Sequence, residues 1–203
     1  INKIVDKDSK VSSIGSCFAE EILQWMQENN YNILKPEWGM VYNPRNIRLI
    51  IEGALEYKNF NPKERFWDFG DGDIRCPYVK SSIELSPYRL GSSPEQAYKN
   101  ESNLFKKFAD VLLNVETLII TLGQTEYWAS QKNYPFYAAP WTGIEGGSDN
   151  HKAYNLSHQE VKEELQIIIK LLKKYNPNIN ILISVSPVPL VASIQKGYSA
   201  YIA

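Results

Sequence analysis

The segment from Val115 to Leu122 places the strongest constraint on how this chain folds. At its centre, residues 117–122 read Thr-Leu-Ile-Ile-Thr-Leu, which leaves no solvated face for a strand. Strands of this kind are typical of a parallel sheet that is covered on both faces. Because parallel strands are joined by crossover connections that are usually helices, this segment predicts an α/β protein.

Strand and helix patterns alternate along the rest of the chain, as this fold requires. Strands are predicted at residues 11–14, 31–34, 115–122 and 179–185, and helices follow Cys17, Asn43 (to about Tyr57), Ser93 and Ser157. Ser93 and Ser157 each precede a Gln or Glu at capping-box spacing. Residues 59–92 are rich in aromatic residues, Pro, Gly and Asp, which predicts a β-hairpin insertion. We therefore predict a doubly wound, mostly parallel sheet with helices on both faces and a small β-hairpin insertion.

The composition limits the classes of partner. With 203 residues, the chain is the size of one domain, so we expect a single domain over residues 1–203. Lys and Arg number 22 against 23 Asp and Glu, and this balance provides no positive field for nucleic acid. No apolar run is long enough to predict a membrane span. We interpret Cys17 and Cys76 as thiols, and in the absence of a signal-peptide pattern we expect a cytoplasmic protein. The sequence leaves the oligomeric state open.

Four unusual segments follow the predicted strands. They are Gly15-Ser16-Cys17, the loop containing Gly39, residues 123–126 and residues 186–189. In open parallel sheets, ligands bind in the crevice outside the carboxyl ends of the strands. The spacing therefore predicts that these four segments converge on one ligand-binding crevice.

The first of these segments carries the most chemistry. Gly15 permits a tight turn, after which Ser16 or Cys17 lies at a helix N-terminus. Unpaired N–H groups and the helix dipole favour a negatively charged atom there, and a thiolate would be a good nucleophile. The alternative reading is that Cys17 is a small buried hydrophobic residue, which is common for a free cysteine.

Several blocks of the sequence resemble those of a known family. Residues 14–22, which contain Gly-Ser-Cys-Phe-Ala, look like the signature of the GSCFA family, and residues 39–44, 121–128 and 184–190 resemble its later blocks. That family is grouped with the SGNH, or GDSL-like, hydrolases, which include esterases, lipases, carbohydrate deacetylases and some acyltransferases. The resemblance implies a three-layer, flavodoxin-like fold and an acyl-ester substrate, which is a small molecule or a carbohydrate.

The resemblance also implies roles for individual residues. Cys17 falls on the superfamily's nucleophilic serine, with Ser16 as the second candidate, and Gly39 falls on the glycine whose N–H serves the oxyanion hole. Thr125 replaces the usual oxyanion asparagine, and its hydroxyl can still donate one hydrogen bond. The candidate substrate-binding residues are Gln124, Glu126, Trp128 and Asn43.

The general base of these hydrolases has no counterpart here. SGNH enzymes carry Asp-X-X-His near the C-terminus, whereas residues 191–203 contain neither Asp nor His. We therefore expect that the C-terminal portion of the domain, with its base, lies outside this chain. The two histidines, His151 and His158, are interpreted as solvated residues rather than as bases.

Two other functions compete with this interpretation. The papain-like signature Cys-Gly-Ser-Cys-Trp resembles residues 15–18, and His151 follows Cys17 within the separation of about 130–150 residues found in papain-like proteases. The papain-like oxyanion glutamine, however, is missing from residues 10–14, and here the motif directly follows a strand.

The second competitor is a binding module without catalysis, which would hold a glycan or an acyl group. The long segment 126–154 predicts a binding loop, and its aromatic side chains could form a stacking platform. These are Tyr127, Trp128, Tyr134, Phe136, Tyr137 and Trp141. The sequence offers no closed set of metal ligands and no Gly-rich phosphate loop, so we expect no cofactor.

Overall fold

The structure, a computed structural model, describes residues 4–62, 65–80, 87–129 and 152–188. Its elements in chain order are β1 (Val11–Gly15), α1 (Cys17–Glu28), α2 (Pro44–Leu55), β2 (Trp67–Asp68), β3 (Ile74–Lys80), β4 (Pro87–Gly91), α3 (Pro94–Asn114), β5 (Thr117–Leu122), β6 (Glu126–Ala129), β7 (Lys152–Asn155), α4 (His158–Tyr175) and β8 (Asn180–Val185). A short 3₁₀ helix, Tyr57–Asn59, follows α2. No helix of the described residues is long and apolar enough to cross a membrane.

A parallel sheet in the order β1-β5-β8 is the centre of the fold. In register, Gly15 lies opposite Thr121, and Thr121 lies opposite Ser184. The apolar segment that predicted a central strand is therefore β5, with a parallel neighbour on each side. The prediction of a parallel sheet in an α/β fold is confirmed.

Alternate residues of the strands face two different helical layers, as the two-residue period of a strand requires. Val11 and Ile119 pack with Leu23 and Met26 of α1 on one face. Leu118 and Ile120 point to the other face, where the larger core includes side chains of α2, α3 and α4. These include Ile50, Phe108 and Ile168. The molecule thus has the three layers that the alternating pattern predicted.

Side chains cap the helices at the predicted positions. The carbonyl oxygen of the Asn43 side chain accepts a hydrogen bond from the Asn46 N–H, and Ser157 with Glu160 forms a complete capping box. At α3, Ser93 caps the helix, but the Gln96 side chain accepts from the Ser92 N–H at 3.0 Å rather than from Ser93. The capping box predicted for α3 is therefore only half formed.

One predicted element is confirmed with an addition, and another differs in the structure. The antiparallel hairpin insertion is present, and it belongs to a three-stranded sheet, β2-β3-β4. The strand predicted at residues 31–34 is reduced to one bridge between Ile33 and Val11. One cause is local. The Leu34 N–H and the Asn32 carbonyl bond to Val11, but the Asn32 N–H donates to Lys7, which precedes β1, and Pro36 soon removes a donor.

The long aromatic segment begins and ends as regular structure rather than as a loop. β6 pairs antiparallel with β7, so that Tyr127 lies opposite Tyr154 and their rings stack at 5.4 Å between centroids. Residues 130–151, with the predicted aromatic positions 134, 136, 137 and 141 and with His151, lie outside the described residues.

Candidate functional site

Hydrogen bonds join the four predicted segments at the carboxyl ends of the strands. One links the first two segments, and another links the second to the third. Ser186, in the fourth segment, donates to the end of β5. The bonds are Val41 N–H to Gly15 O at 2.7 Å, Gly123 N–H to Tyr42 O at 3.0 Å, and Ser186 N–H to Leu122 O at 2.8 Å. The predicted convergence of these segments is thus seen in the structure.

The turn between β1 and α1 depends on Gly15. Its φ of +148° lies in a region that residues with a side chain rarely adopt. The next N–H, that of Ser16, donates to Thr121 O at 3.2 Å and ties the turn to β5. The sequence therefore makes a strand-to-helix turn here whose direction is fixed by its neighbour strand.

Ser16 and Cys17 lie in different environments although they are adjacent. Ser16 is 1% exposed, and a Cβ atom added to Gly123 would stand 3.0 Å from the Ser16 Cβ. The Ser16 hydroxyl has no hydrogen-bond partner among the described residues, and it makes no capping bond to α1. Cys17 is the first residue of α1 and is partly exposed. Of the two nucleophile candidates, only Cys17 presents surface to a ligand.

Tyr42 is a neighbour of Cys17 that the sequence did not single out. Burial raises the pKa of Tyr42, and the nearby Cys17 and Glu20 raise it further by charge repulsion. Its hydroxyl donates to the sulfur of Met40 at 3.2 Å. Tyr42 therefore stays protonated at neutral pH, and its single O–H proton is directed to Met40. The sequence signal that could have identified Tyr42 is its place in residues 39–44, one of the blocks that resemble a known family.

The predicted oxyanion residues lie on two of the converging segments. Gly39 has a φ of +63° and lines the same cavity as Gly15. The Gln124 N–H donates to Tyr42 O at 2.9 Å, which joins the third segment to the second. Thr125 is exposed, and its carbonyl accepts the Leu156 N–H at 2.9 Å. The oxyanion role of Thr125 stays a prediction.

The remaining candidates have structural contacts of their own. Asn43 is 2% exposed and caps α2 through its side-chain oxygen. Trp128 is half-buried in β6 and packs against the main core. Glu126 begins β6 opposite Asn155. Their substrate-binding roles stay predictions, and for Asn43 the capping bond already accounts for the residue type.

A cavity of about 720 Å³ opens beside this turn. It begins at Gly15 and Gly39 and continues between α1 and residues 33–39. Its wall includes residues that were not predicted as site residues, namely Glu20, Gln24, Gln27, Glu28 and Lys35. The spacing of the polar residues of α1 is the signal that could have found them, because positions three and four apart share one face of a helix.

The other titratable groups of interest lie away from the site. Cys76 lies in β3 of the inserted sheet and is fully buried, and burial raises the pKa of its thiol to about 12. His158 is the exposed first residue of α4. Within the described ranges, no group of three or more His, Cys, Asp or Glu side chains is placed to hold a metal ion.

Comparison with known proteins gives a single result. The model of the GSCFA family matches residues 10–201. No curated protein and no solved structure matches the chain. The matched range contains the turn, the cavity and all four converging segments.

Proposed function

The chain belongs to the GSCFA family, and we propose that it acts on an acyl ester, as a hydrolase or an acyltransferase, with Cys17 as nucleophile. The observation that carries the proposal is the contrast between two neighbours. Cys17 is partly exposed at the first position of α1, whereas the Ser16 hydroxyl is buried. A nucleophile must reach the reacting carbon, and only the thiol lies where it could.

The chemistry proceeds in two steps. In the first, the Cys17 sulfur attacks the ester carbonyl, a carbon–sulfur bond forms, and the ester carbon–oxygen bond breaks as the alcohol leaves with a proton. In the second, water or another alcohol attacks the thioester and releases the free thiol. Splitting one difficult transfer into two easier steps is the benefit of a covalent intermediate.

Backbone groups at the turn are suited to hold the oxyanion. Cys17 is the first residue of α1, so its N–H has no acceptor within the helix. We propose that this N–H, the Gly39 N–H and the Thr125 hydroxyl stabilise the negative charge that develops on the carbonyl oxygen. Gly39 supports this because it and Gly15 line one cavity.

A relationship to the SGNH-like hydrolases is also part of the proposal. A candidate nucleophile at the turn after β1, a parallel sheet, and the second-block glycine Gly39 on the cavity that Gly15 also lines are all compatible with an SGNH-like hydrolase. We propose that the general base is a histidine other than His151 and His158. A cytoplasmic location is likewise proposed, on the basis of the two free thiols.

The test combines covalent labelling with turnover. Wild-type protein and the variants Cys17→Ala and Ser16→Ala are incubated with a thiol-directed acylating probe and with short-chain acyl esters. We expect the label on Cys17, the loss of label and of turnover in Cys17→Ala, and retained labelling in Ser16→Ala. Peptide mass spectrometry identifies the labelled residue, and buried Cys76 is an internal control in every sample.

The competing functions give different results in the same assay. Unlabelled Cys17 together with unchanged ester turnover in Cys17→Ala would refute the nucleophile assignment. A papain-like protease would cleave peptides and lose that activity in His151→Ala. A binding module would retain its ligand in Cys17→Ala and turn over no ester in any form.

A further inference from the structure

The backbone around Tyr42 joins the ends of the two strands that carry the candidate site. The Tyr42 carbonyl oxygen accepts the N–H groups of Gly123 and Gln124, at 3.0 and 2.9 Å, directly after β5. The preceding residue, Val41, donates its N–H to Gly15 O at 2.7 Å, at the end of β1. Tyr42 is therefore fixed across the carboxyl ends of both strands, beside the turn into α1.

The side chain of Tyr42 lies next to the residues of that turn. A Cβ atom added to Gly123 would stand 3.0 Å from the Tyr42 ring atom Cδ1 and 3.0 Å from the Ser16 Cβ, so the ring and the serine lie against the same glycine. Burial raises the pKa of Tyr42, and the charges of Cys17 and Glu20, in the first turn of α1, raise it further. Packing and electrostatics therefore agree that the Tyr42 side chain lies beside the candidate nucleophile.

The Tyr42 hydroxyl donates to a weak acceptor. Among the described residues, its hydrogen-bond partner is the Sδ atom of Met40, at 3.2 Å. A thioether sulfur accepts only weakly, whereas a hydrogen bond to a charged oxygen is roughly twice as strong as a bond between neutral groups. A negatively charged oxygen that forms beside the Cys17 sulfur would therefore compete successfully with Met40 for this proton.

Two properties suit this hydroxyl to hold a developing negative charge. Tyr42 is half-buried, whereas Thr125, the side-chain donor in the proposed oxyanion hole, is exposed. A hydrogen bond that is shielded from water is electrostatically stronger than the same bond in solvent. The pKa of Tyr42 is raised above 10.0, so the hydroxyl keeps its proton at the pH values at which an ordinary thiol begins to ionise.

We propose that Tyr42 is a further oxyanion donor, whose hydroxyl turns from Met40 to the ester carbonyl oxygen as the Cys17 sulfur attacks. This inference rests on the proposed function, because it assigns a role in the same acyl-transfer step. The carbonyl oxygen gains negative charge as the carbon–sulfur bond forms and loses it as the carbon–oxygen bond breaks. Tyr42 donates a hydrogen bond during that interval, keeps its proton, and then returns to Met40.

The test compares two reactions of the same thiol in wild type and in Tyr42→Phe, which lacks the hydroxyl but keeps the ring against Gly123. Acylation of Cys17 by p-nitrophenyl acetate passes through an oxyanion. Alkylation of Cys17 by iodoacetamide displaces iodide from a saturated carbon and forms no oxyanion. We expect acylation to slow about 10²- to 10³-fold, the usual cost of removing one oxyanion donor, and alkylation to change by less than about 2-fold.

Tyr57→Phe is the matched control. The Tyr57 hydroxyl donates to the Glu101 carboxylate at 2.8 Å, and burial raises the pKa of Tyr57 as it does that of Tyr42. Tyr57 lies beyond the other end of α2, whose 12 residues span about 18 Å. We expect both reactions of Cys17 to keep their wild-type rates in this variant. An equal loss of acylation in the two variants would mean a general effect of removing a tyrosine hydroxyl and would overturn the proposal.

Met40→Leu tests the resting contact separately. It removes the acceptor but leaves the Tyr42 hydroxyl in place, so acylation should keep its wild-type rate or become faster. A loss as large as that of Tyr42→Phe would mean that the bond between the two side chains holds the segment in place, and would overturn the donor role. Urea unfolding of each variant verifies that the fold is retained.

The outcomes separate this inference from the proposed function. Equal acylation rates in wild type and Tyr42→Phe overturn the donor role and leave the Cys17 nucleophile standing. Equal losses of acylation and alkylation in Tyr42→Phe would show that the hydroxyl acts on the thiol rather than on the oxyanion, which also overturns the proposal. Wild-type protein that is alkylated at Cys17 but never acylated would refute the proposed function, and this inference with it.

Discussion

Gly15 lies directly against the backbone of Thr121, in register with it across β1 and β5. A Cβ atom added to Gly15 would collide with the Thr121 carbonyl oxygen and would stand 2.9 Å from the Thr121 nitrogen. That carbonyl also accepts the Ser16 N–H. The absence of a side chain at residue 15 therefore allows the strand and the nucleophile turn to meet the central strand at close range.

Gly15→Ala should destabilise the protein by about 3 kcal/mol or more, since backbone strain and overpacking each cost about 1–3 kcal/mol. Gly70→Ala is the control: Gly70 has a φ of +81°, but nothing lies within 4 Å of an added Cβ. That variant should lose only about 1 kcal/mol, the cost of the backbone conformation. Urea denaturation measures both. Equal losses would mean that close packing against Thr121 contributes nothing.

Ser16→Ala should leave the free energy of unfolding unchanged or raise it by about 1 kcal/mol. The Ser16 hydroxyl is buried, has no partner among the described residues and makes no capping bond, so its removal relieves a desolvation cost. Ser157→Ala is the matched serine at a helix start. It loses a complete capping box and should cost about 1 kcal/mol. A clear loss of stability in Ser16→Ala would show that its hydroxyl has a partner.

One thiol per chain should react in the native protein at pH 8. Cys17 is partly exposed, whereas Cys76 is 0% exposed and its pKa is raised to about 12 by burial. At pH 8 a thiol with that pKa is ionised in about one molecule in 10⁴. A chromogenic disulfide reagent counts the thiols. We expect one fast reaction in wild type, none in Cys17→Ala, and two in wild type after unfolding.

The same burial of Cys76 should make the protein less stable as pH rises above about 9. The unfolded thiol loses its proton near its ordinary pKa of 9.0, while the folded thiol holds it to about 12. The unfolded state therefore binds fewer protons in this window, and stability falls with a slope that approaches about 1.4 kcal/mol per pH unit. Cys76→Ala should lack this component of the slope, whatever its absolute stability. Equal slopes in the two proteins would contradict the assignment.

Local signals in the sequence predicted much of the fold and of the site. The apolar run at 117–122 predicted a central strand, and Asn43 and Ser157 marked helix starts correctly. These features depend on residues close in sequence or on hydrophobic pattern alone. The turn at Gly15 is a further example, because a glycine between a predicted strand and a predicted helix indicated a tight turn.

Features that depend on distant partners could not be predicted in this way. The strand expected at 31–34 pairs with β1 at only one bridge. The exposed Gln96 side chain accepts from the Ser92 N–H and not from the Ser93 N–H that a capping box requires. In the sequence, Glu20, Gln24 and Gln27 form an ordinary solvated helix face. In the structure, residues 33–39 form the opposite side of the cavity that these three residues line. Whether such a face is a binding wall is decided by a tertiary neighbour, which the spacing of the residues does not reveal.

Another feature of this kind is a buried ion network between α2 and α4. Glu164 accepts from the Nε atoms of both Arg45 and Arg48 at 2.5 Å, and the side chains of Glu164 and Arg45 are each 7% exposed. Arg45 further donates to the Tyr127 hydroxyl at 2.6 Å, which joins β6 to the two helices. No local pattern links residues that are more than 110 positions apart in the chain.

Glu164→Gln should destabilise the protein by about 3 kcal/mol, the lower end of the range for breaking a buried ion pair. The lower end applies because Arg45 and Arg48 keep other acidic neighbours, Glu160 and Glu52. Glu37→Gln is the exposed control: Glu37 pairs with Lys107 at 3.0 Å, but both side chains are more than half exposed. Screening by water should hold its effect below about 1 kcal/mol. Thermal and urea unfolding of the two variants compare the sites directly, and similar losses at both would show that burial adds nothing to the strength of the Glu164 network.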